Sequence, residues 1–306
     1  MRMYPILPMT IFWIIAFATW ELAAENASLP KIAFAAEEGG LYQLDPSSGK
    51  ISKIDVGKLD VGRLAYSPRI QVLAFEGSSE HEQPPSLYLL HLKGLKKECI
   101  HKVDPNSYQS FWGSPTFDPT GEFLYAMNQL DGIYRYSLSE KNWERVHVSG
   151  ALKALNPSEV AFSKSGRQAA ITQTAVGDGD FNGLLLAKVE KNGFVIQKRI
   201  LDSFIHPCGS PQWIGDEAIV FAGRTEPGLE YIWKLDLKSG ELKRITDSSV
   251  GTQNDLTLSK DEKTLVFKAT SAKILEWSLW QVSIDGTGLK QLTGGQFGSR
   301  SPVWIE

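Results

Sequence analysis

Asp178, Asp180 and Asn182 alternate with other residues in the run Asp-Gly-Asp-Phe-Asn-Gly, and oxygen ligands at every second position are what the first half of a calcium loop requires. The second half does not follow. Position twelve is Val189 where a bidentate glutamate belongs, and Leu184 to Leu186 already read as a strand, so a wide polar hairpin is the competing reading. His206 and Cys208 stand close enough to suggest a thiol with its base or two metal ligands, but no third partner accompanies them. No Gly-x-Ser-x-Gly elbow, His-Glu-x-x-His pair or glycine-rich phosphate loop occurs, and the five histidines are dispersed. Calcium at Asp178, Asp180 and Asn182 is thus the one cofactor the residues suggest. Recognition is better served than catalysis. Arg63, Tyr108, Trp112, Glu159, His206, Gln253, Asn254, Asp255 and Arg300 all fall just before or at the start of six similar short strands. Such a mixed set suits a peptide tail or a glycan, with aromatic faces for area and charges for orientation. The alternative for each residue is a cap that meets only water.

Whether these residues meet depends on the elements that carry them. Six apolar strands with polar starts recur: RLAYSP from Arg63, SPTFDP from Ser114, SEVAFSK from Ser158, SPQWIG from Ser210, NDLTLSK from Asn254 and SPVWIE from Ser301. Tyr66, Phe117, Phe162, Trp213, Leu258 and Trp304 hold equivalent places about 45 to 51 residues apart, near the period of propeller blades. Five of the six lead into a second apolar run, such as VLAF at Val72 or AIVFA at Ala218, through turns carrying Pro119, Gly121, Gly166, Gly215 or Asp261. A third run alternates apolar with polar or aromatic residues, as in LYLLHL at Leu87 and IWKLDL at Ile232, and a weaker fourth follows a hairpin turn. Four short strands per unit, none able to bury both faces alone, predict blades stacked around an axis.

The two ends of the chain complement each other. KIAFAA at Lys31, LYQL at Leu41 and ISKI at Ile51 are strands two to four of a blade lacking its first, and the terminal SPVWIE is a first strand lacking the rest. Pairing them closes an all-β ring of six four-stranded antiparallel blades and removes the open edges. In SPTFDPTG (Ser114 to Gly121), SPQW (Ser210 to Trp213), SPVW (Ser301 to Trp304) and LWQVSIDGTGLKQLT (Leu279 to Thr293) the repeat resembles the TolB-type propellers, which also occur in some serine peptidases. The resemblance covers nearly all of the chain after residue 24. It leaves no span for the α/β domain that precedes the propeller in TolB or for a following hydrolase domain. What it implies is the fold; it does not specify an activity.

The remaining bounds concern location and partners. Arg2, the apolar stretch Ile6 to Trp20 and the small residues before Glu25 have the layout of a secretory signal peptide, which predicts a leader over residues 1–24 and a propeller over 25–306. The apolar stretch is shorter than a spanning helix needs, so no stable membrane span is expected and the location expected is periplasmic or secreted. A formal net charge of -3 argues against nucleic acid. Cys99 falls in an outer strand and Cys208 in an inner one across the ring, which predicts two unpaired thiols acting as small buried hydrophobes. Trp277 and Trp280 in WSLW suit either packing between blades, the preferred reading, or an outer docking face. The expectation is a monomeric, non-enzymatic binding protein recognising a protein segment or a glycan of the cell envelope at its central funnel. The alternative is a hydrolase or lyase acting on a glycan in the channel.

Overall fold

The computed structural model describes residues 30–79, 85–103, 112–128, 131–150, 156–173, 183–201, 206–225, 229–271 and 276–306, so the leader expected over residues 1–24 lies outside the described residues. Six antiparallel sheets surround one axis. Blade 1 begins with β1 (Lys31–Ala35), β2 (Leu41–Leu44) and β3 (Ile51–Ile54). Blade 2 is β4 (Asp60–Ser67), β5 (Val72–Ser78), β6 (Ser86–His91) and β7 (Lys96–His101). Blade 3 is β8 (Trp112–Phe117), β9 (Phe123–Asn128), β10 (Gly132–Ser137) and β11 (Asn142–Arg145). After the short β12 (His147–Gly150), blade 4 is β13 (Pro157–Phe162), β14 (Gln168–Gln173), β15 (Gly183–Glu190) and β16 (Gly193–Leu201). Blade 5 is β17 (His206–Ile214), β18 (Ala218–Arg224), β19 (Tyr231–Asp236) and β20 (Leu242–Arg244). Blade 6 is β21 (Val250–Leu258), β22 (Thr264–Ser271), β23 (Trp277–Ser283) and β24 (Lys290–Gln291). The last strand, β25 (Arg300–Ile305), returns to blade 1 and pairs with β1 at Lys31↔Ile305, Ile32↔Trp304 and Ala33↔Val303, closing the ring. The Tyr66 hydroxyl donates to the Glu306 carbonyl at 3.1 Å and ties the closing strand to blade 2.

The second strand of each blade explains why the ring holds. Its side chains alternate between the two faces of the sheet, and both faces are covered by a neighbouring blade, so the middle of the strand is apolar on both faces. In β5, Leu73 and Phe75 pack toward blade 1 while Val72 and Ala74 pack toward blade 3. In β1, Ala33 and Ala35 face blade 2 while Ile32 and Phe34 face blade 6. The core is thereby divided among the junctions between blades, with the rings of Phe34, Phe75, Phe221 and Phe267 fully buried. Burial of one such ring contributes roughly 2–3 kcal/mol. Indole donors stitch the junctions: Trp143 donates to the Ile100 carbonyl and Trp213 to the Ala161 carbonyl, each at 3.0 Å.

Two details depart from the repeat or from expectation. β12 runs parallel to β16 and adds a fifth strand to the outer edge of blade 4, which no other blade has among the described residues. Cys99 is exposed, because β7 is the outer edge strand of blade 2, and so does not act as a buried hydrophobe. It lies opposite Cys208 in ring order, on blades 2 and 5 respectively. Trp280 packs in the junction between blades 5 and 6. Among the described residues no helix is long and apolar enough to cross a membrane.

Candidate functional site

The channel is narrowed by a ring of residues at one repeat position of the innermost strands: Arg63, Ser114, Glu159, Ser210, Asp255 and Ser301. Every innermost strand slips register at this level, between Val61 and Leu64, Gly113 and Thr116, Pro157 and Glu159, Gly209 and Gln212, Asn254 and Thr257, and on β1 where it meets β25. Ser114, Ser210, Asp255 and Ser301 take left-handed backbone there, with φ of 52°, 53°, 47° and 50°. A slipped residue lifts its N–H out of the ladder, and a buried N–H needs another acceptor. Carboxylates supply it. Glu159 accepts from the Ser210 N–H, and Asp255 from the Ser301 N–H at 3.4 Å. In the third such pair the ring position before Ser114 is Arg63, and the acceptor comes from Glu76 at the end of β5, which takes the Ser114 N–H at 2.7 Å and the Arg63 N–H at 3.3 Å.

That exchange leaves the Arg63 guanidinium to cross the neck and form an ion pair with Glu159, joining blade 2 to blade 4. Glu76 itself is 8% exposed, and burial pushes its carboxyl above the usual glutamate range against the opposing pull of Arg63 and the two N–H groups. Gly62 makes room for it: a Cβ there would lie 2.6 Å from Glu76 Oε2. In blade 6 the position equivalent to Glu76 is Lys268, each following a buried phenylalanine and each paired with a leucine of the third strand. Lys268 Nζ lies 3.8 Å from Asp255 Oδ2 and 4.0 Å from the Trp277 ring centroid. Burial lowers its pKa, Asp255 resists that, and Arg300 and Arg63 add to it. Arg300 occupies a place held by Gly62, Gly113, Ser158, Gly209 and Asn254 in the other blades, and donates to Asp60 Oδ1 at 2.8 Å and the Val61 carbonyl at 3.1 Å.

Two cavities meet at this ring and share Arg63, Asp255 and Ser301. The mouth cavity, about 450 Å³, is bounded by the starts of β4 and β25, the end of β5 and the middle of β21 and β22. Beyond the ring a bore of about 550 Å³ widens past Tyr66, Phe117, Phe162, Trp213, Leu258 and Trp304. Of the residues read from the sequence as facing the funnel, Arg63, Asn254, Asp255 and Arg300 line the mouth cavity, and Glu159 lines the bore at the ring. Gln253 is fully buried, its amide bonded to Thr246 Oγ1 and, at 3.0 Å, to the Asp247 carbonyl. Trp112 is buried between blades 2 and 3, stacked on His101 with ring centroids 4.2 Å apart and against Tyr134 and Trp143. Burial lowers the His101 pKa. His206 sits on β17 opposite Arg224, while Tyr108 and the Asp178, Asp180, Asn182 run lie outside the described residues. Among the described residues no three His, Cys, Asp or Glu side chains converge as metal ligands. Glu76, Lys268 and the three ring serines were not singled out by sequence reasoning. The available signal was a polar residue directly after Phe75 and Phe267 at equivalent repeat positions.

The propeller has counterparts among solved structures. TolB from Acinetobacter baumannii superposes with a TM-score of 0.71 at 17% identity, over 98% of this chain and 74% of that one. The fold is that of a TolB-like six-bladed propeller. The same propeller is found in a chain of the nidogen/laminin complex, with a TM-score of 0.68, 14% identity, and 91% and 99% of the two chains covered. An oligogalacturonate lyase in complex with manganese is more distant, with a TM-score of 0.51, 11% identity, and 85% and 71% covered. No family model and no curated protein sequence matches the chain. At these identities the likeness concerns the propeller alone.

Proposed function

We propose that the chain is a binding propeller, exported by its leader to the periplasm or the cell exterior, which recognises an extended segment of a partner protein at the channel mouth. The observation that carries this reading is the mouth cavity itself. Glu76 and Asp255 are fixed by bulge N–H groups, and Arg63 and Arg300 by cross-blade contacts, before any ligand arrives, and preorganisation of this kind reduces the ordering cost of binding. A rigid ring presenting such a rim suits recognition, and one similar propeller comes from a complex of two proteins. The test is selection of displayed random peptides on the immobilised protein. Enriched sequences should bind the native chain and lose about tenfold or more in affinity for an Arg63→Ala, Arg300→Ala variant that retains its melting temperature. Enrichment of nothing, or equal binding by the variant, defeats the reading.

A second reading rests on Glu159 and Asp255, two carboxylates on the same ring, and on the lyase among the similar propellers. It is glycan cleavage in the channel. Both carboxylates, however, hold a bulge N–H and face a cation, so each is already engaged in holding the ring. Incubation with oligouronates and neutral oligosaccharides, followed by assay of new reducing or unsaturated ends, separates the two readings. Product formation that disappears in Glu159→Gln establishes the enzyme.

A further inference from the structure

At three positions of the mouth the repeat gives way to a cation, beside the buried acid Glu76, which stands where blades 1, 3, 4 and 5 carry Ala35, Met127, Thr172 and Ala222. Arg63 replaces the acid or serine of the ring, Lys268 stands where Glu76 stands in blade 2, and Arg300 stands where the other blades carry glycine, serine or asparagine. All three line the same mouth cavity, on blades 2, 6 and 1. Repetition explains none of them, because the bulges close without them in the other blades.

Hydrogen-bond capacity at this place is uneven. The acids are engaged: Glu76 and Asp255 hold backbone N–H groups and Asp60 holds Arg300. The donors are not. Among the described residues no acceptor lies within hydrogen-bonding distance of Lys268 Nζ, whose nearest carboxylate oxygen is at 3.8 Å although its side chain is only 16% exposed. Arg300 Nε is buried without a partner. One buried acceptor is also unmatched, Asn254 Oδ1, and Asn254 faces Lys268 directly across the β21–β22 ladder while its own amide donates to Glu230 at 3.1 Å. A buried polar group without a partner is unfavourable, and several in one cavity describe the complement of what fits there.

We propose that this pocket takes the C-terminal carboxylate of a peptide chain, with Lys268 and Arg300 donating to its oxygens, Arg63 adding charge from the ring, and Asn254 Oδ1 accepting the last amide N–H. At a peptide C-terminus other than proline, the carboxylate carbon and an amide N–H nitrogen are bonded to the same α-carbon, and an anion among half-buried donors binds through charge-assisted bonds. The inference rests on the peptide-binding reading above and specifies which end of the segment is held.

The probe is a pool of acetylated random tetrapeptides prepared with free carboxylates or as C-terminal amides, scored by retention on the immobilised protein. The carboxylate pool should be retained about tenfold or more over the amide pool. Lys268→Met should abolish the preference, Lys268→Arg should keep it, and Lys243→Met, on the exposed outer strand β20, should not change it. Arg300→Gln provides a second loss variant should Lys268→Met fold poorly. Equal retention of the two pools, or a preference that survives both loss variants, overturns the proposal. So does retention of amidated peptides carrying a glutamate side chain, or of galacturonate, as strongly as the free C-termini. Displayed peptides that bind regardless of these variants leave the peptide reading standing and remove this one. Galacturonate retained while neither peptide pool is retained removes both.

Discussion

Glu76 shows how one residue can serve the fold so that another serves the surface. It supplies the acceptor that a ring acid supplies elsewhere, and Arg63 faces the neck in consequence. Its carboxyl is raised above the unfolded value of 4.5, chiefly by burial, so its contribution to stability is complete below that value and is lost as pH rises through the folded value. In denaturant titrations Glu76→Gln should gain on the native chain by about 1.4 kcal/mol per pH unit across that window, and the difference curve should be flat below it. A difference that does not vary with pH contradicts the burial argument. Turn aspartates such as Asp236 and Asp261, lowered chiefly by hydrogen bonds from Ser239 and Ser259, act with the opposite sign and in a lower range. Gly62→Ala should displace the Glu76 carboxyl and cost about 1–3 kcal/mol, read as a shift in denaturation midpoint. Arg63, Glu159, Asp255 and Arg300 were legible in the sequence because polar residues opening apolar strands mark the rim. Glu76 and Lys268 were not, because each directly follows a run of three apolar residues, Leu73 to Phe75 and Leu265 to Phe267, that reads as core. Gln253 reads like its neighbours Asn254 and Asp255, yet the bulge turns it into the core, and a bulge leaves no trace in a two-residue alternation.

At the scale of elements, the ring depends on β25 lying against β1, and this closure was legible because the chain's two ends are complementary fragments of one repeat. β12 was not legible. Four residues, His147 to Gly150, carry no pattern of their own, and their parallel pairing depends on the close approach of a distant glycine, since a Cβ on Gly193 would lie 1.8 Å from the His147 carbonyl oxygen. Gly193→Ala should therefore release β12 while the four-stranded blade persists. Hydrogen exchange should show faster exchange at Val148 to Gly150 and unchanged protection in β14. Global loss of protection would mean that β12 bears on the whole ring. The bulges matter more for function, since they carry the ring residues to the axis and recruit carboxylates to hold them there.

Across the whole molecule, the six junction cores make a rigid annulus, and specificity is left to the few positions where one blade differs from the next. Sequence periodicity revealed the annulus because every blade repeats the same burial pattern. It could not reveal which rim residues converge, because Arg63, Lys268 and Arg300 lie far apart in the chain and meet only after the ring closes. The central claim is that a partner segment enters this mouth. Hydrogen–deuterium exchange of the native chain, with and without a peptide enriched by display, tests it most directly. The account predicts slowed exchange at the start of β4, the end of β5, the facing parts of β21 and β22, and the start of β25, with the outer strands β7, β11, β16, β20 and β24 unchanged. Slowed exchange confined to those outer strands or to the turns at the far end of the bore would contradict it.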